Sequence, residues 1–251
     1  MKYLSTLVLM LFFTNAANAF VLAGTTPGKW GSSIFGTGAT ITWSLAGTGV
    51  GCTSDLGCTT LTSLDDFMPI GYEAQLVRAF DAWSAVADVT FVKVADGGED
   101  FNAPGSSGDI RVAGHPITAS GGLSGLESLG AGTLAHGFFP PVNGATAAGD
   151  IHFDSDDTWK IGFGGSGFDI FQVFAHELGH ALGLGHTGVP NSLMNPIYTE
   201  TFAGLQADDI AGAQFLYGAA VNSVPAPQVL ILVMLGLIGF STQRKRSAVK
   251  L

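Results

Sequence analysis

Basic side chains are scarce in this sequence: ten Lys and Arg stand against twenty Asp and Glu in 251 residues. Five of the ten, Lys2, Arg244, Lys245, Arg246 and Lys250, lie at the two ends, whereas every acid lies between them, leaving the body at about −15. Such a body repels nucleic acid and anionic membrane, which excludes a DNA or RNA partner and calls for a salty exterior or for acids gathered around cations. Cysteine is nearly absent too. The two present, Cys52 and Cys58, flank TSDLG, and in an exported chain a pair that close most simply closes a small loop as a disulfide rather than a metal or redox site. Nothing repeats at a fixed period.

Long apolar runs are confined to the ends. Lys2, the run Leu4 to Phe13 and then TNAANA follow the charged, apolar, small-residue order of a secretory signal cleaved after Ala19. At the other end, VPAP precedes an uninterrupted run from Val229 to Phe240 and then Arg244, Lys245 and Arg246. Twelve helical residues span only about 18 Å of a hydrocarbon core of about 30 Å, so a plain tail anchor is strained. The segment resembles the carboxy-terminal sorting signals of Gram-negative surface proteins, the PEP-CTERM type, with Ala226 where an acid usually stands between the prolines. The expected organisation is a leader over 1–19, an entry segment over 20–39, one catalytic-size domain over 40–218, a linker over 219–227 and a sorting or membrane signal over 228–251. The expected destination is the surface or exterior of a Gram-negative bacterium, with signal peptidase and a sorting protease as processing partners.

Within the body, ATITWSLAG alternates Ile41, Trp43 and Leu45 on one side, a half-buried strand, while Tyr72, Leu76, Phe80 and Trp83 recur at helical spacing. VTFVKVA then reads as a second strand, and strand, helix, strand implies a parallel pair with a crossover. GDIRVAG, GTLAHGFF and AGDIHFD supply further strands, and the Gly- and Ser-rich stretch from Pro116 to Ala135 reads as a long irregular loop. From Asp169 the pattern turns helical, with Asp169 and Gln172 placed as a capping box and Gly183 and Gly185 to end the helix. QADDIAGAQFLYG is a last helix with acids in its first turn.

That central helix carries the chemistry. His176 and His180, four residues apart, share one face and can share one metal ion, and His186 joins them if the chain turns back at Gly183, where a positive φ costs nothing. Three neutral imidazoles leave a fourth tetrahedral position open, the mark of a catalytic zinc. Glu177, about 100° round the helix from His176, is placed to act as general base on a water without ligating the metal. Peptide hydrolysis without a covalent intermediate is the implied reaction. The alternative is a surface binding protein that keeps the metal and no longer cleaves; an intact Glu177 argues against it.

HELGHALGLGH followed by Met194 in SLMNPIY resembles the metzincin zinc peptidases, and within them the matrixins. ITWSLA, AFDAWSAVADVTFVKV, GDIRVAG, LAHGFFP, GDIHFDSDDTW and LQADDIAGAQFLYG fall in matrixin order across residues 20–218, and Thr187 suits that branch. The resemblance implies an α+β fold: a twisted, mostly parallel five-stranded sheet with one antiparallel edge strand and three helices. It implies His176, His180 and His186 as zinc ligands, Glu177 as base, Met194 as the turn methionine under the site, and Pro196 and Tyr198 as the wall of a pocket for the side chain after the scissile bond. It implies a monomer acting on protein or peptide substrates. It implies structural ions as well: His136 and His152 match two ligands of a second zinc, Asp109 and Asp150 one calcium site, Asp154 and Asp157 another. The family's His-x-Asp pair for the second zinc is missing, and His115 or Glu127 are the substitutes; the Pro116 to Ala135 loop lacks the family's acidic calcium turn. Cleavage after Ala19 leaves no room for an inhibitory prosegment, so signal peptidase itself is expected to activate the enzyme, freeing Phe20 to meet Asp208 or Asp209.

Overall fold

A computed structural model describes residues 20–25, 28–55, 57–117, 132–141 and 147–221. Residues 1–19, where a leader is expected, the residues beyond 221, Glu127 and most of the Gly- and Ser-rich loop lie outside the described residues. Strand β1 (Val21–Leu22) opens the chain, and β2 (Ala39–Leu45) follows. The strand, helix, strand expectation holds. Helix α1 (Tyr72–Ser84) crosses over to β3 (Val89–Lys93), which pairs parallel with β2 from Ala39↔Val89 to Trp43↔Lys93. Next come β4 (Ile110–His115), β5 (Ala135–Gly137) and β6 (Ile151–Asp154). The sheet order is β3-β2-β4-β6-β5, parallel except for β5 at the edge, which runs antiparallel to β6.

A short parallel pair, β7 (Trp159–Lys160) and β8 (Phe168–Asp169), leads into helix α2 (Ile170–Leu182). The Asp169 carboxylate accepts the Gln172 N–H and caps the helix, but the expected capping box is only half made: Gln172 Oε1 accepts from Gly204 N–H instead, and Asp169 N–H donates to the Tyr198 hydroxyl. Gly183 ends the helix in the left-handed region at φ 109°. Only glycine fits there for a second reason: a Cβ would stand 2.1 Å from the Gly28 carbonyl oxygen. Strand β9 (Leu184–Gly185) then returns along β1, and helix α3 (Ala207–Tyr217) closes the domain.

The period-two rule assigns the two faces of the sheet. Ile110, Val112, Ile151, Phe153 and Ala135 turn toward the helices, where they join Leu76, Phe80, Trp83, Phe174 and Leu178 in the main core. Phe80 bridges sheet and helices, its ring 4.7 Å from Trp43 and 5.2 Å from Phe174. Each fully buried Phe of this kind contributes about 1.5–3 kcal/mol. The Trp83 Nε1–H donates to the Ala175 carbonyl and fixes α1 against α2. On the opposite face a smaller cluster gathers Ala46, Cys52, Cys58, Leu61, Phe101, Ala113 and Phe138, with Cys52 and Cys58 joined as the expected disulfide.

The entry segment is built into the fold. Ala23 N–H donates to the Gly183 carbonyl, Trp30 Nε1–H to the Ala181 carbonyl, and the Tyr217 hydroxyl accepts from Trp30 N–H while donating to Leu182. Ala23 and Trp30 therefore clasp the end of α2 and the turn that follows it.

Candidate metal centres and active site

All six histidines fall into two clusters of three. In the first, the Nε2 atoms of His176, His180 and His186 form a triangle with every side 3.1 Å. The Nδ1 of His176 lies 2.6 Å from the Leu193 carbonyl and that of His180 lies 2.8 Å from the Leu184 carbonyl. A carbonyl only accepts, so each Nδ1 carries the proton and each Nε2 presents a lone pair. Converging lone pairs repel unless a cation lies between them. Tetrahedral zinc with Zn–N near 2.05 Å spaces its nitrogens about 3.3 Å apart, which this triangle fits. Burial, with His176 and His186 beside it, pushes His180 well below the usual imidazole range and keeps it neutral, as a ligand must be.

The carbonyl that orients His176 belongs to the turn containing Met194. Its residues are held from α3: the Asp209 carboxylate accepts from Ser192 Oγ, Leu193 N–H at 2.8 Å, Met194 N–H at 3.0 Å and Gln206 N–H at 2.7 Å. Four donors fill the lone pairs of one carboxylate. Met194 packs beneath α2 at Gly179, where a Cβ would come within 2.3 Å of its sulfur. Asp209 is thus committed to the methionine turn. Both acids expected to meet Phe20, Asp208 and Asp209, line one small crevice with Phe20, Leu184 and Met194.

Glu177 is buried, with its carboxylate against β5 at Gly137. Burial raises its pKa to about 8, and the Gly137 N–H, which donates to it, acts the other way. A dication nearby favours the ionised form. Gly137 and the three histidines line a cavity of about 370 Å³ whose apolar part is made by Leu134, Val173, Leu193, Pro196, Tyr198 and Phe202. Pro196 and Tyr198, expected as a pocket wall, both line this cavity. The Tyr198 hydroxyl accepts from Asp169 N–H and donates to Glu200, tying this wall to the start of α2.

The second cluster lies on the other face of the sheet. His136 and His152 face each other across β5 and β6, and His115 is two residues beyond Ala113, the partner of His152 on β4, so strand alternation puts all three rings on one side. Asp55 meets them from the disulfide loop. Its Oδ2 lies 3.2 Å from His115 Nε2, 3.2 Å from His136 Nε2 and 2.9 Å from His152 Nδ1. One carboxylate oxygen has two lone pairs, too few for three donors; an oxygen and three ring nitrogens all within 4.8 Å of one another are instead a donor set that suits a tetrahedral metal. Burial pulls His152 down to about 4, so it stays neutral. Burial pushes Asp55 up, and the three imidazoles more than reverse this, holding it ionised.

His115 was named from sequence as a substitute ligand; Asp55 was missed. The available signal was an acid at the centre of a seven-residue cysteine loop, but no sequence period links that loop to β4–β6.

The calcium candidates are more dispersed. Asp109 accepts from Thr42 N–H and Oγ1–H, and Asp150 Oδ1 accepts from Arg111 N–H. Asp150 Oδ2 is buried and has no partner among the described residues, and burial raises this carboxyl well above its usual range. Asp157 is also raised, by burial and by neighbouring Asp154 and Asp156.

An α+β fold with a histidine-bearing helix, a returning third histidine and a methionine in the turn beneath defines a protein with a three-histidine candidate metal centre. The matrixin family model matches residues 54–218, and the chain belongs to the matrixins. It is 39% identical over 157 residues to stromelysin-3 of Xenopus laevis, covering 61% of this chain and 29% of that protein. It is 39% identical over 148 residues to interstitial collagenase of Bos taurus and 37% identical over 147 residues to karilysin of Tannerella forsythia, in each case covering 58% of this chain and 28% of the relative. The chain spans less than a third of the length of these relatives.

Proposed function

We propose that this protein is an exported zinc endopeptidase whose catalytic metal is held by His176, His180 and His186. The triangle of Nε2 lone pairs carries this reading. Zinc bound there supplies Lewis acidity to a water and to the scissile carbonyl. Glu177, ionised beside that charge, takes the proton of the water and returns it to the leaving amine. Strand β5, at the sheet edge and lining the cavity, offers an extended peptide a backbone to lie along. The apolar side chains around Pro196 and Tyr198 favour an apolar residue after the cut.

The zinc-loaded protein is expected to cleave a mixed peptide library with that preference and to stop when zinc is chelated. Absence of cleavage by folded, zinc-loaded protein would favour the non-catalytic binding scaffold. Run on protein beginning at Phe20 and on protein extended by a few residues before it, the same assay tests activation by signal peptidase through Phe20 and Asp208 or Asp209: equal activity and stability would end that idea. The intact mass of the exported protein tests cleavage after Ala19 and removal of the tail, and with them placement at the cell surface or outside.

The second zinc in this reading sits on His115, His136, His152 and Asp55. Calcium is assigned to Asp109 with Asp150 and to Asp154 with Asp157, because a cation relieves the desolvated Asp150 carboxyl and the mutual repulsion at Asp157. Dialysis against a calcium-selective chelator is expected to lower Tm by about 4 °C or more; an unchanged Tm removes calcium from the account.

A further inference from the structure

We infer that the Cys52–Cys58 disulfide is the positioning element of the second metal centre, so that metal retention there depends on the redox state of this bond. The inference rests on the reading of Asp55, His115, His136 and His152 as a zinc site. Three of the four ligands stand on paired strands of the central sheet, where hydrogen bonds fix their places. The fourth does not. Asp55 rides on a loop six residues from cysteine to cysteine, with Cα atoms 5.4 Å apart across the bond.

Among the described residues, the backbone hydrogen bonds that shape this loop around Asp55 are local. Asp55 N–H donates to the Cys52 carbonyl at 2.8 Å, and Cys58 N–H donates to the Asp55 carbonyl at 3.0 Å. The tie to the rest of the domain near Asp55, among the described residues and apart from its own carboxylate on the three histidines, is Ser54 Oγ–H on the Phe101 carbonyl at 3.2 Å. Gly57 takes a left-handed turn at φ 84° that lets the chain return to Cys58. Both cysteines are buried in the small cluster that backs the histidines, with Leu61, Phe101, Ala113 and Phe138. The cross-link therefore does two things: it closes the loop around Asp55 and anchors both loop ends beneath the metal ligands. Without it, seven residues recover conformational freedom and the carboxylate is no longer pre-placed, whereas the three histidines keep their positions.

Reduction is balanced simply: one disulfide, one trialkylphosphine and one water give two thiols and one phosphine oxide. The ligand count then falls from four ordered donors to three, and loss of an element that orients a metal ligand weakens binding by about 10–100-fold.

The test uses the whole protein, purified oxidised and loaded with zinc. Zinc content and the rate of zinc release to a chromophoric chelator are measured before and after the phosphine, for the parent, for Cys52→Ser/Cys58→Ser and for Asp55→Asn. The expected result is two zinc ions in the oxidised parent, with one of them released about 10–100-fold faster after reduction. The double serine variant should release that ion quickly with or without phosphine, and Asp55→Asn should do so with its disulfide intact. Two ions retained equally in oxidised, reduced and serine forms would overturn the coupling. Loss of the ion from the cysteine variant alone, together with loss of helical circular dichroism, would place the disulfide in general folding and also overturn it. A single zinc in the oxidised parent would instead overturn the reading of the second centre itself.

Discussion

Glu177→Ala is expected to lower kcat/KM for peptide cleavage by about 10²–10⁴-fold while zinc content stays unchanged. The separation follows from where the carboxylate sits. It is on α2 next to His176, yet it points to the Gly137 N–H and is not one of the three nitrogen donors of the triangle. Removing it takes away the proton acceptor and leaves the ligands, whose orientation comes from the Leu193 and Leu184 carbonyls. The fold should not suffer, because burial already opposes the ionised form. Glu177→Gln gives the finer test: it can still accept from Gly137 N–H but cannot take a proton, so it should be as inactive as alanine. Steady-state kinetics with zinc analysis on the same samples decides the matter. Equal loss of zinc and activity would make Glu177 a determinant of metal binding; a fall of less than tenfold would remove it as the base.

Much of this arrangement was legible in the sequence because it depends on short-range periods. The four-residue spacing of His176 and His180, the helix stop at Gly183 and the cap at Asp169 are local properties of one chain segment, and each appears in the structure as expected. The strand alternation that buries Ile41 and Trp43 is of the same kind. Two features were not legible, and both are long-range. Asp55 meets His115, His136 and His152 across 60, 81 and 97 residues of sequence, through a loop whose direction is set by a disulfide. His115 could be named only as a substitute, because spacing along the chain carries no information about a site formed once β4 and β6 are paired. Asp209 is the other case. Read as a helix-dipole acid available to Phe20, it turned out to be fully used by main-chain and hydroxyl donors from a turn some sixteen residues away.

That use of Asp209 leads to the second large effect. Asp209→Ala is expected to destabilise the domain by about 3–5 kcal/mol and to weaken retention of the catalytic zinc. Four donors lose their acceptor at once, and three of them, Ser192 Oγ–H, Leu193 N–H and Met194 N–H, are buried where water cannot replace it. The fourth, Gln206 N–H, is half of the capping box of α3, so the start of that helix is released as well. The consequence for the metal runs through one peptide. Leu193 gives its N–H to Asp209 and its carbonyl to His176 Nδ1, so a loosened turn lets the imidazole rotate and spoils the lone-pair triangle. Asp209→Asn is the informative companion: it preserves size but presents an NH₂ group to donors on one side, and should recover only part of the loss. Thermal unfolding of the zinc-loaded and zinc-stripped proteins measures both effects together. If the destabilisation is as large in the stripped protein and zinc retention is normal, the turn is structural alone; if retention falls with stability, Asp209 holds the first ligand of the active site from the far end of the domain.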